Sequence, residues 1–263
     1  MYEFEYHRPT SLDDAAGRLS DEDAKLVAGG MTLIPTLKQR LAKPSQLIDL
    51  GALPQLKGIR EEGDAVVIGA MTRHADVNRS DVVRRAVPAL AAMAGMIGDP
   101  AVRNRGTIGG SIANNDPAAD YPGAIVALNA TVRTNKREIA ADDFFTAMFE
   151  TALEPSEIVT AVRFPKVAQA NYQKFRNPAS RYAIVGVFVA KTPAGVRLAV
   201  TGAGPVVFRI PEMEAALARS FTPDAIKDIH IPQDDLNSDI HASAEYRAHL
   251  VTVMARRAVQ ACA

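Results

Sequence analysis

The sequence predicts an α+β protein with two domains that meet near residue 170. Short apolar runs at 25–28 and 47–50, together with a glycine pair and a helical segment, indicate a small α/β unit in the first fifty residues. A β-branched run at 65–70 opens a second unit, which continues into further helical segments. A longer apolar run beyond residue 170, followed by an amphipathic terminal segment, predicts antiparallel strands packed against helices.

The N-terminal elements follow from caps and breakers. Thr10 or Ser11 is predicted to cap a helix that ends near Leu19, with acidic residues in its first turn. A strand over 25–28 leads into Gly29-Gly30, and a helix is expected from Thr32 through Leu41, because Pro35 falls in its first turn, where a missing N–H does no harm.

The next unit combines a buried strand with an unusual polar stretch. The strand is predicted over 65–70, with Thr72 as a helix cap after it and a helix over 88–94. Residues 103–120 are too polar and too rich in turn residues to be ordinary core. We therefore expect this stretch to carry function.

The C-terminal part is predicted as a hairpin with two helices. Strands over 182–190 and 195–200 are joined by a turn that contains Pro193. Helices are expected over 211–219 and about 240–261, the second with apolar residues at three- and four-residue spacing.

Composition restricts the classes of partner. Of the 263 residues, 48% are hydrophobic and 23% are charged, which is typical of a folded globular protein. Basic and acidic residues number 30 each, so no net field favours nucleic acid or an anionic membrane. No signal-peptide pattern opens the chain, and no apolar run approaches the ~20 residues that span a bilayer, so we expect a cytoplasmic protein without a transmembrane segment.

Cysteine and histidine usage argues against a metal in this chain. The one cysteine, Cys262, cannot form an internal disulfide or supply the four thiolates of an iron–sulfur cluster. The five histidines form no HExxH motif and no close His/Cys cluster. Any iron–sulfur cluster is therefore expected on another chain. Separately, the sequence contains no GxSxG motif, so nothing in it supports hydrolytic catalysis.

Two glycine pairs are the first candidates for a binding site. Backbone N–H groups in the turn Gly29-Gly30 can approach a phosphate closely, because glycine has no Cβ. The alternative for a lone pair is a simple tight turn. A second glycine pair, Gly109-Gly110, follows about eighty residues later and allows the same close approach of backbone N–H groups. The two loops could therefore bind one diphosphate from both sides. The alternative for this second pair is again a turn or bulge.

Further polar and charged residues have two interpretations each. Asp120 either accepts a hydrogen bond from a ribose or ribityl hydroxyl or caps the helix that follows it. Lys174 and its neighbours Arg176 and Arg181 either stabilise an anionic ring or form a solvated face. Tyr182 either stacks on a ring or belongs to the core.

With both glycine pairs in place, the sequence resembles the FAD-binding medium subunits of the molybdenum hydroxylases, the family of xanthine dehydrogenase and carbon monoxide dehydrogenase. The resemblance runs the whole length of the chain. The motifs that carry it are Ala28-Gly29-Gly30, Ile97-Gly98, Arg103-Asn104-Arg105-Gly106, Thr107-Ile108-Gly109-Gly110-Ser111, Asp116-Pro117-Ala118-Ala119-Asp120, Lys174-Phe175-Arg176 and the run from Ser238 to Arg247. Met31-Thr32 departs from the family, in which His-Ser is frequent.

The resemblance implies a fold and a set of FAD-binding residues. The fold is a two-part FAD-binding domain of the vanillyl-alcohol oxidase (PCMH) type over 1–166, divided into about 1–58 and 59–166, followed by a smaller α+β domain over 170–263. The FAD-binding residues it implies are Leu26, Val27, Ala28, Gly29, Gly30, Met31, Thr32, Leu33, Ile97, Thr107, Ile108, Gly109, Gly110, Ser111, Asp120, Ile158, Lys174 and Tyr182.

The resemblance also implies partners. It predicts an assembly with an iron–sulfur small subunit that holds two 2Fe–2S clusters and a molybdopterin large subunit, commonly as a dimer of heterotrimers. This chain would pass electrons through FAD to NAD, a quinone, a carrier protein or oxygen. A self-sufficient flavin oxidase is the alternative enzyme, although the ~90 residues after position 170 are few for a substrate-covering domain. A scaffold that has lost FAD is the non-catalytic alternative.

Overall fold

The computed structural model describes residues 1–262, and its N-terminal part is a small parallel sheet. In the strand order β1-β3-β2, the central strand β3 (Gln46–Asp49) pairs with β1 (Glu5–His7) on one side and with β2 (Lys25–Val27) on the other. Two short helices lie in the connections between these strands. Two short 3-10 turns follow, at Leu50–Ala52 and Pro54–Leu56. The elements are β1 (Glu5–His7), α1 (Leu12–Arg18), β2 (Lys25–Val27), α2 (Leu33–Lys38) and β3 (Gln46–Asp49).

The second sheet is antiparallel, with strand order β4-β5-β10-β6-β7, and short helices pack on it. A two-stranded hairpin, β8 with β9, precedes its last strand. The elements are β4 (Ile59–Glu62), β5 (Ala65–Gly69), α3 (His74–Arg79), α4 (Asp81–Ala86), α5 (Pro88–Gly95), α6 (Pro100–Arg103), α7 (Ile108–Asn114), α8 (Tyr121–Ala127), β6 (Thr131–Thr134), β7 (Glu138–Ala140), α9 (Ala141–Phe144), β8 (Phe145–Ala147), β9 (Glu150–Thr151) and β10 (Val159–Pro165).

The C-terminal sheet is antiparallel in the order β11-β12-β13-β14, and the long helix α11 packs on it. A 3-10 turn lies at Pro223–Ile226. The elements are β11 (Ala170–Arg176), β12 (Ala183–Thr192), β13 (Gly195–Thr201), β14 (Phe208–Arg209), α10 (Pro211–Arg219) and α11 (Ala244–Ala261). No helix within residues 1–262 is long and apolar enough to cross a bilayer.

The largest hydrophobic core extends across residue 170. It joins the inner face of the second sheet to α5 and α8, and it also includes Tyr172, Phe188 and Ala199 from the C-terminal sheet. Arg197 adds a polar link, since its Nε donates to the carbonyl of Val126 at 2.8 Å. The two parts of the chain are therefore packed directly against each other.

Most local predictions are confirmed, and four details are wrong. Ser11 caps α1 as expected, and β12 and β13 form the expected hairpin. Helix α2 ends at Lys38 rather than Leu41, since Arg40 adopts a left-handed φ of 61°. Thr72 caps no helix, because its hydroxyl bonds to the backbone of Gly58.

Of the other two corrections, one concerns the start of a helix and the other concerns a stretch that was expected to lie outside the core. Helix α11 begins at Ala244, four residues later than predicted, because Ser243 caps it. The stretch 103–120 contains the helix α7, whose Ile108 and Ile112 are fully buried, so part of this stretch is core after all.

Candidate cofactor-binding cleft

A cleft of about 630 Å³ lies where the three sheets approach one another, within the range of about 300–1,000 Å³ usual for small-molecule sites. It brings together all the residues expected to bind FAD except Val27 and Ile108. Ile108 is fully buried, and its N–H donates to the carbonyl of Thr72. The residues that line the cleft are thus gathered from segments far apart in the sequence.

The first glycine loop presents a row of free backbone donors. Within residues 1–262, no hydrogen bond uses the N–H groups of residues 29 to 33. The loop follows β2 and leads into α2, so these N–H groups converge on the cleft that residues 28–33 line. Successive unpaired N–H groups in such a turn form a concave site for anions, and a diphosphate matches it.

The glycines of this loop are needed for two different reasons. A Cβ on Gly29 would lie 2.3 Å from the carbonyl oxygen of Arg105, so Gly29 allows the first loop to touch the backbone of the second. Gly30 has a φ of 71°, in the left-handed region that favours glycine. Gly29 therefore joins the two loops, while Gly30 turns the chain.

The second glycine loop uses its backbone donors internally. The N–H of Gly109 donates to the carbonyl of Ala70 at 2.8 Å, and that of Gly110 donates to the Thr107 hydroxyl at 3.2 Å. The N–H of Ser111 donates to the carbonyl of Thr107. The Ser111 hydroxyl has no partner within residues 1–262 and lies at the cleft. The second loop thus offers the Ser111 hydroxyl to a ligand, whereas we expected backbone N–H groups from both loops.

Asp120 forms a buried ion pair across the cleft wall and does not act as a helix cap. Its carboxylate lies 2.9 Å from the Lys174 ammonium and also accepts the hydroxyl hydrogen of Tyr172. Burial raises the pKa of Asp120, while Lys174 and Tyr172 oppose this shift. The solvated-face interpretation of Lys174 is wrong, because only 3% of its side chain is exposed.

The backbone at Ile97 and Gly98 is held by cations that bind its carbonyl oxygens. Arg103 donates to the carbonyls of both residues, at 3.0 and 2.9 Å. Arg181 approaches the Gly98 carbonyl at 3.4 Å, and Lys174 approaches that of Met96 at the same distance. This wall of the cleft is therefore fixed before any ligand binds.

Tyr182 reaches the cleft from the C-terminal sheet. It remains 44% exposed, so the core interpretation is wrong. Burial of its hydroxyl raises its pKa, as do Asp116 and Asp120, and the Thr32 side chain of the first glycine loop opposes the shift. The phenol thus lies over the cleft close to the first loop. Ile158 lines the same cleft but is only 1% exposed, so it contributes an apolar floor.

His74 and Phe149 are among the cleft residues that sequence reasoning missed. His74 is 4% exposed, and burial together with nearby Arg103 lowers its pKa to about 4, so it is neutral at pH 7. Phe149 lines the cleft at the tip of the β8–β9 hairpin, with a left-handed φ of 57°. Asn115 holds this tip, since its Nδ2 donates to the carbonyls of Ala147 and Glu150. The sequence shows that Asn115 is polar, but it does not show that Asn115 binds the backbone of this hairpin.

Comparison with known families accounts for nearly the whole described chain. Residues 2–167 match the family described as FAD binding domain in molybdopterin dehydrogenase. Residues 170–262 match the CO dehydrogenase flavoprotein C-terminal domain. The resemblance stated from the sequence and the predicted α+β fold class are both confirmed.

Individual relatives match over nearly their full length. The carbon monoxide dehydrogenase medium chain of Hydrogenophaga pseudoflava is 37% identical, with 98% of this chain and 96% of the relative covered. The nicotine 6-hydroxylase medium subunit of Paenarthrobacter nicotinovorans is 38% identical, with 97% and 95% covered. A solved structure of the Hydrogenophaga pseudoflava carbon monoxide dehydrogenase, in a form that lacks the Mo-pyranopterin moiety of the molybdenum cofactor, superposes with a TM-score of 0.90 at 37% identity, covering 99% of this chain and 97% of that one.

Proposed function

The chain belongs to the family of FAD-binding subunits of the molybdopterin dehydrogenases, and we propose that it holds FAD in the cleft and passes electrons from an iron–sulfur subunit to an external acceptor. Bound FAD supplies the ability to accept and release electrons, and the chain supplies binding and orientation. The row of free N–H groups at residues 29 to 33 carries this proposal, because it is a ready site for the FAD diphosphate.

The proposed contacts follow from the geometry of the cleft. The first glycine loop binds the diphosphate through its backbone, and Ser111 adds a hydroxyl from the opposite side. Asp120 and Lys174 lie at the same wall as Ile97 and Tyr182, so we assign this end to the flavin ring and its ribityl chain. Leu26 and Ile158 are apolar residues of the same lining, and we assign them to the adenine.

An electron-transfer role explains the chemistry of the relatives. Two of them share 37% and 38% identity with this chain, yet their names refer to carbon monoxide and to nicotine. Because the similarity extends over nearly the whole length of chains whose names refer to such different substrates, we infer that substrate selection belongs to another subunit. We infer that the partners are a molybdopterin large subunit and an iron–sulfur small subunit with two 2Fe–2S clusters, in a dimer of heterotrimers. The cytoplasm stays the predicted compartment.

The test is to purify the full-length chain with the polypeptides that accompany it. Flavin absorption bands together with iron, molybdenum and two further polypeptides would support the proposal. Flavin alone, reduced rapidly by a small organic substrate, would instead support a self-sufficient oxidase. Adding NAD, a quinone or oxygen to the reduced complex would then identify the acceptor.

A further inference from the structure

The segment from Asn177 to Tyr182 joins β11 to β12 and carries Tyr182 into the cleft. Four hydrogen bonds close it on Asn177. The Asn177 Oδ1 accepts from the N–H groups of Ala179 and Ser180, at 2.9 and 3.1 Å. The Asn177 N–H donates to the Tyr182 carbonyl at 2.8 Å, and the Arg181 N–H donates to the Asn177 carbonyl at 2.9 Å. One side chain and its backbone thus define the shape of the segment.

The segment also carries backbone strain next to Tyr182. Arg181 has a φ of 64°, in the left-handed region that disfavours residues with a Cβ. Strain of this kind persists only where the surrounding contacts over-determine the conformation. The four bonds at Asn177 are those contacts, and the strained residue directly precedes the cleft tyrosine.

The amide of Asn177 is itself held in one orientation. Because its Oδ1 already accepts two backbone N–H groups, its Nδ2 must point the other way, where it lies 3.2 Å from Nδ1 of His241. An amide nitrogen can only donate, so Nδ1 of His241 accepts and the imidazole proton is on Nε2. Asn177 is 8% exposed, which makes these bonds hard to replace with water.

A buried arginine fixes His241 in turn. Oδ1 of Asp239 accepts from the His241 N–H at 2.8 Å, and Oδ2 lies 2.7 Å from the Arg247 guanidinium. Arg247 is 3% exposed and donates to the carbonyls of Ile184 and Gly202, at 2.6 and 2.9 Å. Ile184 lies two residues after Tyr182, so the run from Ser238 to Arg247 is tied to both sides of the cleft segment.

We propose that Asn177 is a positioning residue for Tyr182, and that Asp239, His241 and Arg247 form the support that holds Asn177. This inference rests on the proposed function, since it assigns Tyr182 to the flavin end of the cleft. Asn177 does not line the cleft itself, whereas Ser180, Arg181 and Tyr182 of its segment do, and Tyr182 is the aromatic side chain among them. The support gives the conspicuous motif over 238–247 a role at the cofactor site.

A double-mutant cycle tests the inference on the full-length chain purified with its accompanying polypeptides. Asn177→Ala should weaken FAD binding about 10-fold and brighten the fluorescence of bound flavin, because a displaced tyrosine no longer quenches it. In a Tyr182→Ala background, Asn177→Ala should leave the flavin fluorescence unchanged and lower the FAD affinity clearly less than 10-fold, since only Ser180 and Arg181 of the segment then remain to be displaced. Equal effects in the two backgrounds would overturn the inference.

Three further measurements keep the outcome decisive. Asn177→Asp retains the two accepted bonds and should recover most of the FAD affinity. If Asn177→Ala does not fold, exposed His241→Ala replaces it in the cycle, with a smaller expected loss of about 3-fold. His230→Ala is the matched control, since His230 is exposed in the same part of the chain and makes no side-chain hydrogen bond within residues 1–262. A wild-type chain that binds no FAD would defeat the proposed function, whereas additive effects would defeat this inference only.

Discussion

The two glycine loops have the same dipeptide but opposite hydrogen-bonding states. In the first loop, the N–H groups of residues 29 to 33 are free, while in the second, those of residues 108 to 111 are all paired within the protein. The first loop is an open turn before α2, and the second is the first turn of α7. The first loop is therefore built to receive an anion, and the second to support it.

The difference teaches that a glycine pair indicates a close approach without saying what approaches. At Gly29 the approaching group is the backbone of Arg105, and at Gly109 it is Ala70, whose Cβ would lie 2.6 Å from an added one. Gly110 differs, since a Cβ there would meet only the Thr107 hydroxyl at 3.0 Å and Ala28 at 3.5 Å. Of these three glycines, Gly110 is the one whose missing side chain leaves room in the cleft.

The largest effect is expected for Gly29→Ala. The added Cβ would collide with the Arg105 carbonyl oxygen at 2.3 Å, and neither backbone can move without separating the two loops. We expect the free energy of unfolding to fall by about 3 kcal/mol, with loss of bound FAD. Urea denaturation and the flavin content of the purified chain measure both effects.

Gly17→Ala is the matched control for this substitution. Gly17 lies in α1 with no atom within 4 Å of an added Cβ, so alanine there should stabilise the chain by about 0.5–1 kcal/mol. If Gly29→Ala behaved like Gly17→Ala, contact between the loops would not be the reason for Gly29.

The second prediction concerns His74, which lies beneath the second loop. Its Nε2 would be 2.6 Å from a Cβ on Gly106, and burial lowers its pKa from 6.5 to about 4. Between these two values the unfolded chain binds the proton more readily than the folded chain. The contribution of neutral His74 to the free energy of unfolding is therefore fully present above pH 6.5. It is lost as the pH falls toward 4, and the free energy of unfolding then decreases by on the order of 1.4 kcal/mol per pH unit.

His74→Gln removes this dependence, because glutamine does not titrate. The free energy of unfolding should be measured from pH 7 to pH 4 for both proteins, and the wild type should have the steeper slope. Other acid-sensitive groups affect both chains equally, so the difference in slope belongs to His74. Parallel slopes would mean that His74 is not buried as a neutral group.

The sequence predicted structures that local chemistry determines. The strand, glycine turn and helix over residues 25–38 follow from an apolar run, a glycine pair and a proline in the first turn. The hairpin of β12 and β13 follows from β-branched residues on either side of a short turn. Nearly all of the FAD-binding residues that the family motifs implied also line the cleft.

The sequence could not predict features that depend on distant contacts. Two glycines disfavour a helix by about 1 kcal/mol each, yet α7 forms at 108–114, because Thr107 caps it and the carbonyls of Ala70 and Thr72 anchor its first turn. The sequence left two roles open for Asp120, because its partner Lys174 lies 54 residues away along the chain. Both outcomes are decided by tertiary structure.

The third prediction separates ligand binding from stability in the second loop. Gly110→Ala adds a methyl group toward the cleft, with only the Thr107 hydroxyl at 3.0 Å to adjust. We expect FAD affinity to fall at least 10-fold, or about 1.4 kcal/mol, while the urea midpoint changes little. Fluorescence titration with FAD provides the measurement. Unchanged affinity would show that the diphosphate does not pass beside Gly110, and the proposed contacts of the second loop would be wrong.

The smallest effect is expected for Ser111→Ala, which removes the hydroxyl that the second loop offers to the cleft. Since this hydroxyl has no partner within residues 1–262, its loss should leave the free energy of unfolding unchanged. It should weaken FAD binding by about 1 kcal/mol, which is the net contribution of one hydrogen bond. Thr107→Ala should do the reverse, because its hydroxyl caps α7 and its loss costs about 1 kcal/mol of stability. Titration and denaturation of both variants test this exchange. If Thr107→Ala weakened FAD binding more than Ser111→Ala, the second loop would contact the ligand through its cap, and the assignment of a supporting role to its backbone would have to be reversed.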